Sequence, residues 1–535
     1  MISSRATLLT ASLLIPMLTA ASASAATPVV TTAGGKLQGV REQGVEAFKG
    51  IPFAAPPVGE WRWRAPRPAA PWEGVRAADK FGHDCMQTPF PGDDAPLSVT
   101  PAEDCLYLNV WRPAKAKSGA ANKLPVLVWI YGGGFINGGS SPHIYRGTEF
   151  ARDGVVYVSF NYRIGRFGFF GFPELSRQDA DQGLLGNYGY MDQVAALKWV
   201  RDNIAAFGGD PAQVTIAGES AGGASVHFLL TSPLAQGLFA RAIVQSGGGR
   251  GPLMGPRQLK EDQPNVPSSE TLGQRFATRM GITGTDAAAL TALRALPAEK
   301  ITDGLHLGNG SPDAGGPMAD GKLVVGDPGK VYSAAHQAKV PLMIGATSAD
   351  IGNAGAKTKK DAFAQFGVFA PQAKAAYDPD GKKELARLNA EIGMDRMMVE
   401  PARFVAAAFA AQGLPAYHYR FSYTATPRRA TSPFGAPHAT EIPFMMDTVS
   451  DRYGKDATAQ DQSMAKQMHA YWANFAKHGN PNGKGLSGKK LPVWSTYTAA
   501  NDQLLDFSAD GKAVPQTDAW KARLDATAAA AAATH

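Results

Sequence analysis

A single α/β unit, built on a central, mostly parallel and twisted sheet flanked by helices, is what the sequence predicts, and three observations predict it. First, six short runs are dense in Val, Ile, Tyr and Phe and are mostly closed by Gly or Asn. They are "LPVLVWIY" (124–131), "VVYVSFNY" (155–162), "QVTIAG" (213–218), "RAIVQSG" (241–247), "VPLMIGA" (340–346) and "AYHYRFSY" (416–423). Apolar runs of this length read as strands buried on both faces. Second, "MDQVAALKWVRDNIAAF" (191–207), lying between two of them, spaces its apolar residues for one face of a helix. Strands that alternate with helices form a parallel sheet covered on each side. Third, 535 residues with 44% apolar composition suffice for a large core.

The other segments follow in chain order. Arg5 precedes an apolar stretch, Leu8 to Leu18, that is too short to span a bilayer, and Ala23-Ser24-Ala25 fits a small-residue cleavage site. Residues 1–25 are therefore expected to be a signal peptide, and the mature protein to be periplasmic or secreted without a stable membrane anchor. In an oxidising compartment the only two cysteines, Cys85 and Cys105, are expected to pair, with two separate buried thiols as the alternative. "FKGIPFAAPPVGEWRW" (48–63) is broken by prolines and reads as the start of an irregular N-terminal region. Residues 247–322, rich in Gly, Pro, Asp and Ser, read as loops over the sheet. The main unit is expected to span 26–520, followed by an alanine-rich tail, 521–535, that reads as low-complexity and frayed.

Charge and motif content narrow the function. Lys and Arg number 53 against 46 Asp and Glu, and the densest basic cluster, "KTKKD" (357–361), reads as a solvated loop. No nucleic-acid partner is expected. There is no Gly-Lys pair followed by Ser or Thr, and no Cys/His cluster with zinc spacing, so neither a metal nor an organic cofactor is expected. A monomer is favoured, with the oligomeric state left open.

The chemistry centres on "TIAGESAGGASVHF" (215–228). G-x-S-x-G by itself is weak in a chain with 59 glycines, but here a strand candidate ends at Ala217 and a helical run follows Gly223. Ser220 then falls on a sharp strand-to-helix turn, with Gly218 and Gly222 removing side chains that would collide across it. The helix that follows directs its N–H groups at the site. "WIYGGGFING" (129–138) offers a second glycine-rich turn after a strand. The N–H groups of Gly133 and Gly134, with that of Ala221, are candidates to hold an oxyanion.

A serine hydroxyl needs a base. His418 lies in a strand pattern, His469 and His478 in a helical one, and His227 on the helix after Ser220. His438, in the loop "FGAPHATEIPF", is the best placed by position, since α/β folds put chemistry on loops at strand ends. Spacing alone leaves the choice open. The orienting acid follows by elimination: between Gly329 and Lys360 the only carboxylate is Asp350. The order Ser220, Asp350, His438 agrees with that of α/β-hydrolases.

These motifs together resemble the type-B carboxylesterase family, which includes cholinesterases, bacterial para-nitrobenzyl esterases and fungal lipases. The resemblance runs from about residue 28 to 510, through the 48–63 segment, "EDCLYLNVWRP" (103–113), "YGGGF" (131–135), "FNYRIGRFGF" (160–169), the long run 186–223, "HATEIPF" (438–444) and "YWANFAKHGNPN" (471–482). It implies an α/β-hydrolase fold with inserted loops and helices over the active site, a Ser220 nucleophile, a His438 base, oxyanion donors at Gly133, Gly134 and Ala221, and a Cys85–Cys105 disulfide. It implies hydrolysis of small-molecule carboxylic esters through an acyl-enzyme. Two departures stand out. Relatives carry Glu where this chain has Asp350, and glycine where it has Ile351. The loop between the cysteines lacks the tryptophan with which cholinesterases face a quaternary ammonium. Glu219, beside the serine, matches the family and is expected to be buried behind the nucleophile. A lipase or specialised ester hydrolase of the same mechanism is the alternative within enzymes. A non-catalytic adhesion homologue is the alternative outside them, disfavoured because such proteins lose the serine.

Overall fold

The computed structural model describes Ile2 and residues 27–116, 123–251 and 257–533. Apart from Ile2, the expected signal peptide lies outside the described residues.

Eleven strands form one sheet: β1 (Val40–Glu42), β2 (Val45–Pro52), β3 (Tyr107–Pro113), β4 (Leu124–Ile130), β5 (Val156–Phe160), β6 (Gly209–Glu219), β7 (Arg241–Gln245), β8 (Leu342–Thr347), β9 (Ala416–Phe421), β10 (Gln503–Phe507) and β11 (Ala513–Thr517). Their order across the sheet is β1-β2-β3-β5-β4-β6-β7-β8-β9-β10-β11. The strands from β5 to β10 in that order are parallel, and the flanking pairs are antiparallel. All six runs read from sequence lie in the parallel centre. Every residue of β5, β8 and β9 is buried, as two-sided burial of a Val-, Ile- and aromatic-rich strand requires.

Helices α1 (Tyr188–Asn203), α2 (Ala221–Thr231), α3 (Glu400–Ala411), α4 (Ala459–His478) and α5 (Lys521–Ala533) flank or abut this sheet. α2 packs on β6 and β7, α3 on β8 and β9, and α4 on β4 and β6. The ends of α4 follow elementary capping rules. Thr458 and Asp461 form a capping box at its start, and Gly479 closes it in the left-handed conformation. Trp472 from α4 is fully buried and donates to the side chain of Gln245 at the end of β7.

Three segments differ from their sequence reading. The proline-broken 48–63 segment begins inside β2, which pairs antiparallel with β3 through a register shift between Phe48 and Ile51. Prolines are tolerated there because irregular pairing leaves gaps in the ladder. Residues 247–322 are not loops alone, since Ser269–Arg279 and Ala287–Ala295 are helices capped by Ser268 and Asp286. The alanine-rich tail is the helix α5, with Leu524 fully buried against Ala346, Met394, Met398 and Val399. A few large anchors dock the helix, and alanine, the best helix former, sustains it.

Cys85 and Cys105 form a disulfide. Among the described residues no helix is long and apolar enough to cross a membrane, and no cluster of His, Cys, Asp and Glu could hold a metal ion.

Candidate active site

The carboxyl ends of β4, β6, β7, β8 and β9 face one edge of the sheet, where open α/β sheets collect their chemistry. Gly132 to Gly134 follow β4, Ser220 follows β6, Ser246 follows β7, Asp350 follows β8 and His438 follows β9. A cavity of about 480 Å³ opens there, lined by Gly133, Gly134, Ser220, Ala221 and His438, with Phe135, Phe228, Leu307, Met398 and Tyr453 among its apolar walls. Asp93, Asp94 and Arg452 also reach it, and Arg452 is paired with Asp94. A second hollow, about 510 Å³ between the proline-rich 65–71 segment and α1, contains none of these site residues.

Ser220 sits at the β6–α2 turn with φ 56° and ψ −122°, a conformation rare for a residue with a side chain. The surrounding glycines make it feasible. A Cβ on Gly218 would stand 2.3 Å from the carbonyl oxygen of Gly222, and one on Gly222 would stand 2.0 Å from that of Ile130. The backbone N–H of Ser220 donates to Gln245 O at 2.9 Å, tying the turn to the end of β7.

The acid and the imidazole come from adjacent loops stitched to one another. Ala349 N donates to Ala436 O at 2.9 Å, and Ala436 N donates to Ser348 Oγ at 3.0 Å. His438 Nδ1 then meets Asp350 Oδ1 at 2.6 Å. Asp350 Oδ2 accepts from Ser246 Oγ at 2.6 Å and from Thr347 N at 3.1 Å, while Ile351 N donates to Oδ1 at 2.8 Å. These bonds hold the Asp350 carboxylate against the ring although its side chain is one methylene shorter than the Glu that the family resemblance leads one to expect. Burial opposes the charge on Asp350, yet the imidazole and these donors hold its carboxyl below the usual range.

The other face of the ring is acidic too. His438 Nε2 lies 3.2 Å from Glu219 Oε1. Burial pushes Glu219 well above the usual carboxyl range. Burial also raises Glu441, whose Oε1 accepts from Gln245 Nε2 at 3.3 Å, to about 7. For His438, burial disfavours the charged ring, but Glu219 and Asp350 outweigh it and raise the imidazole to about 10. The hydrogen bonds of the described residues tie His438 to Asp350 and not to Ser220, which shares the cavity wall with the ring. Contacts of this kind commonly tighten only when substrate is bound.

Three of the other candidate histidines, His227, His418 and His469, are buried away from the serine. His227 spends its ring nitrogens on Tyr332 Oη at 2.7 Å and Gly248 O at 3.1 Å, and burial lowers it to about 3. His418 is buried in β9, where burial lowers it to about 4. His469 meets Met445 O at 2.8 Å inside α4. Sequence reasoning did not single out Ser246 or Glu441. A polar residue between an apolar strand run and three glycines was the available signal for Ser246.

A parallel sheet of this strand order, with a strained serine leaving β6 and an imidazole–carboxylate pair beyond β8 and β9, defines an α/β-hydrolase. The chain matches the model of the carboxylesterase family over residues 26–524. It is 36% identical over 470 residues to the fumonisin B1 esterase of Sphingopyxis macrogoltabida, covering 84% of this chain and 82% of that one. It is 34% identical over 494 residues to the para-nitrobenzyl esterase of Bacillus subtilis (strain 168), covering 88% and 92%. With carboxylesterase 1F of Mus musculus the identity is 33% over 525 residues, covering 88% of each. The chain belongs to the carboxylesterase family and is a carboxylic ester hydrolase.

Proposed function

We propose that this enzyme cleaves esters by a Ser220–His438–Asp350 triad through an acyl-enzyme. The observation that carries the reading is the 2.6 Å bond between His438 Nδ1 and Asp350, in a ring that shares its cavity with a strained serine. Asp350 fixes the tautomer in which Nε2 of the neutral ring accepts a proton, and its charge steadies the imidazolium. Ser220 Oγ bonds to the ester carbonyl carbon as its proton passes to Nε2. The carbonyl oxygen becomes an oxyanion, which accepts hydrogen bonds from the N–H groups of Gly133, Gly134 and Ala221. Collapse of this intermediate breaks the bond to the alkoxy oxygen, which leaves as the alcohol with the proton from Nε2. Water then gives a proton to Nε2 and attacks the acyl carbon, and the acid departs as Ser220 recovers its proton.

The apolar walls suit uncharged small-molecule esters. The loop between the cysteines brings Asp93 and Asp94 to the cavity, without the tryptophan a choline ester would stack on. The relatives' names point to different esters, so acyl and alcohol preference follow from the cavity lining and not from family membership. The export signal read in residues 1–25 goes with a periplasmic or secreted enzyme.

The test is covalent labelling with a fluorophosphonate alongside steady-state hydrolysis of para-nitrophenyl esters. The native enzyme is expected to take up one equivalent of probe. Ser220→Ala is expected to take up none and to lose on the order of 10⁶ in kcat. Unchanged labelling of Ser220→Ala would show that the nucleophile lies elsewhere.

A further inference from the structure

Three successive glycines make a backbone segment with little conformational preference of its own. Gly133 and Gly134, with φ of 105° and 63°, carry no side chains that could lock the turn from within. Oxyanion donors nonetheless have to be held to a fraction of an ångström before the reaction begins. Whatever fixes this turn must act from outside it.

One buried side chain gathers the contacts that could do so. Asn137 lies three residues beyond Gly134 and is 2% exposed. Its backbone N–H donates to Gly133 O at 2.9 Å, a carbonyl that Ile136 N also reaches at 3.0 Å. Its own carbonyl presses on the turn, since a Cβ on Gly133 would stand 2.2 Å from Asn137 O. The side-chain amide turns outward to two other chain segments. Nδ2 donates to Thr88 O at 2.8 Å and to Gln87 Oε1 at 3.1 Å, both in the disulfide loop. Oδ1 accepts from Leu307 N at 2.9 Å.

Two of those partners, Gln87 and Leu307, reach back to the same turn. Gln87 Oε1 accepts from Gly138 N at 2.9 Å, and its Nε2 donates to Gly138 O at 2.6 Å and to Cys85 O at 3.0 Å. The side chain of Leu307 lies over Gly134, 2.7 Å from where a Cβ there would stand, and forms part of the cavity wall. Asparagine is the side chain that fits. Aspartate would keep the acceptor for Leu307 but would face two acceptors with no donor, and serine lacks the second arm.

We propose that Asn137 is the positioning residue of the oxyanion turn, clamping Gly133 and Gly134 between the disulfide loop and Leu307. The proposal rests on the reading of those two glycines as oxyanion donors. It extends that reading by assigning their alignment to a nearly fully buried residue at the cavity wall that acts through the turn. A clamp of this kind acts on the tetrahedral state more than on the bound ester, so it affects kcat more than KM.

Native enzyme, Asn137→Ala, Asn137→Asp, Gln87→Ala and the Asn137→Ala/Gln87→Ala double variant are compared on para-nitrophenyl esters. Rates are normalised to the sites a fluorophosphonate labels at saturation. Inhibition by an aryl trifluoromethyl ketone, whose hemiketal with serine carries an oxyanion, is measured in parallel. In Asn137→Ala and Asn137→Asp, kcat is expected to fall about 30- to 100-fold with KM within about threefold of native. The ketone's inhibition constant should rise by the same factor by which kcat/KM falls. Gln87→Ala should show a smaller loss of the same kind, and the double variant should be no worse than Asn137→Ala by more than about threefold, because both cuts release one clamp. If Asn137→Ala does not fold, Gln87→Ala decides. A matched loss in kcat/KM and ketone affinity supports the clamp, and native values for both overturn it. Folded Asn137→Ala with native ketone affinity would also overturn it while leaving the triad reading intact. A native enzyme that neither turns over esters nor binds the ketone would overturn both.

Discussion

His438 stands between two buried carboxylates whose hydrogen-bond partners differ. Asp350 is held ionised by four donors, counting the ring, and stays on the low side of its usual range. Glu219 has few donors to offset burial, and its carboxyl is pushed well up. The two sides of the ring therefore do different work: Asp350 orients it, while Glu219 exchanges influence with it. A proton on Glu219 removes charge that favours the imidazolium, and a proton on His438 favours ionised Glu219. Since Glu219 raises the ring, replacing it with an amide must lower it. In Glu219→Gln the acidic limb of kcat/KM, where His438 loses its proton, should move to lower pH. Rate profiles from pH 5 to 10 on both forms check this, and a limb that stays put or moves upward would show that Glu219 carries no charge toward the ring. Single residues differed in how legible they were. Ser220 could be read locally, because strand, turn and helix are adjacent in sequence. Asp350 emerged by elimination, being the only carboxylate available. His438, the proposed base, could be chosen only through the family motif, since its 2.6 Å contact joins residues 88 apart across two loops. Asn137 gave no signal at all, as its partners are remote side chains and backbone groups.

At the scale of elements, the turn between β6 and α2 is built from close backbone packing. Gly218 faces Gly222, and Gly222 faces the last residue of β4. Those contacts bring the N-terminus of α2, with Ala221 N–H, up to the glycine turn beyond β4. In Gly222→Ala the new methyl would meet a backbone carbonyl that belongs to the centre of the sheet, and no flexible side chain can give way. Overpacking of this kind costs about 1–3 kcal/mol, so the melting temperature should fall by about 1–3 °C in a chain of this length. The loss of kcat should exceed what that instability explains, because Ser220 and Ala221 move with the helix. Gly310→Ala is the control, since nothing lies within 4 Å of a Cβ there. Calorimetry with initial rates at 25 °C separates the two effects, and a Gly222→Ala enzyme with native stability and rate would refute the packing account. The same packing explains which elements the sequence revealed. Central strands are apolar throughout because both faces are covered. The outer strands β1, β2, β3, β10 and β11 mix polar and apolar residues, prolines included, and their pairing depends on neighbours that local composition does not specify.

For the whole molecule, the cavity wall depends on the far end of the chain. Met398 reaches the cavity from a π-helical turn, Asp395–Val399, that interrupts the helical run from Leu385 to Ala411. Behind it sits Leu524 of α5. The same turn carries Asp395, fully buried, whose charge is met by Arg523 at 2.8 Å, and Tyr377 Oη donates to it at 2.7 Å. Arg523 also stacks on Trp520 at 3.7 Å. Arg403 of α3 also bonds Asp525 at 2.7 Å, and Tyr377 meets Thr527 at 2.9 Å in a buried contact. The alanine run conceals this from a reading of composition, because its repeated residue supplies helix and almost no packing. The anchors are the few residues scattered through it. Ending the chain at Trp520 should therefore do two things together. Leaving Asp395 buried without its guanidinium should cost about 3–5 kcal/mol, and the void behind Met398 should loosen the wall of the cavity. The truncated enzyme is expected to melt several degrees lower and to lose discrimination between short and long acyl esters. Arg523→Ala should reproduce most of the stability loss while leaving the acyl preference near native, since Leu524 still supports Met398. Measuring both variants by thermal unfolding and by kcat/KM across an acyl-length series distinguishes charge pairing from packing. A truncated chain with native melting temperature and native preference would mean that α5 only covers a surface complete without it.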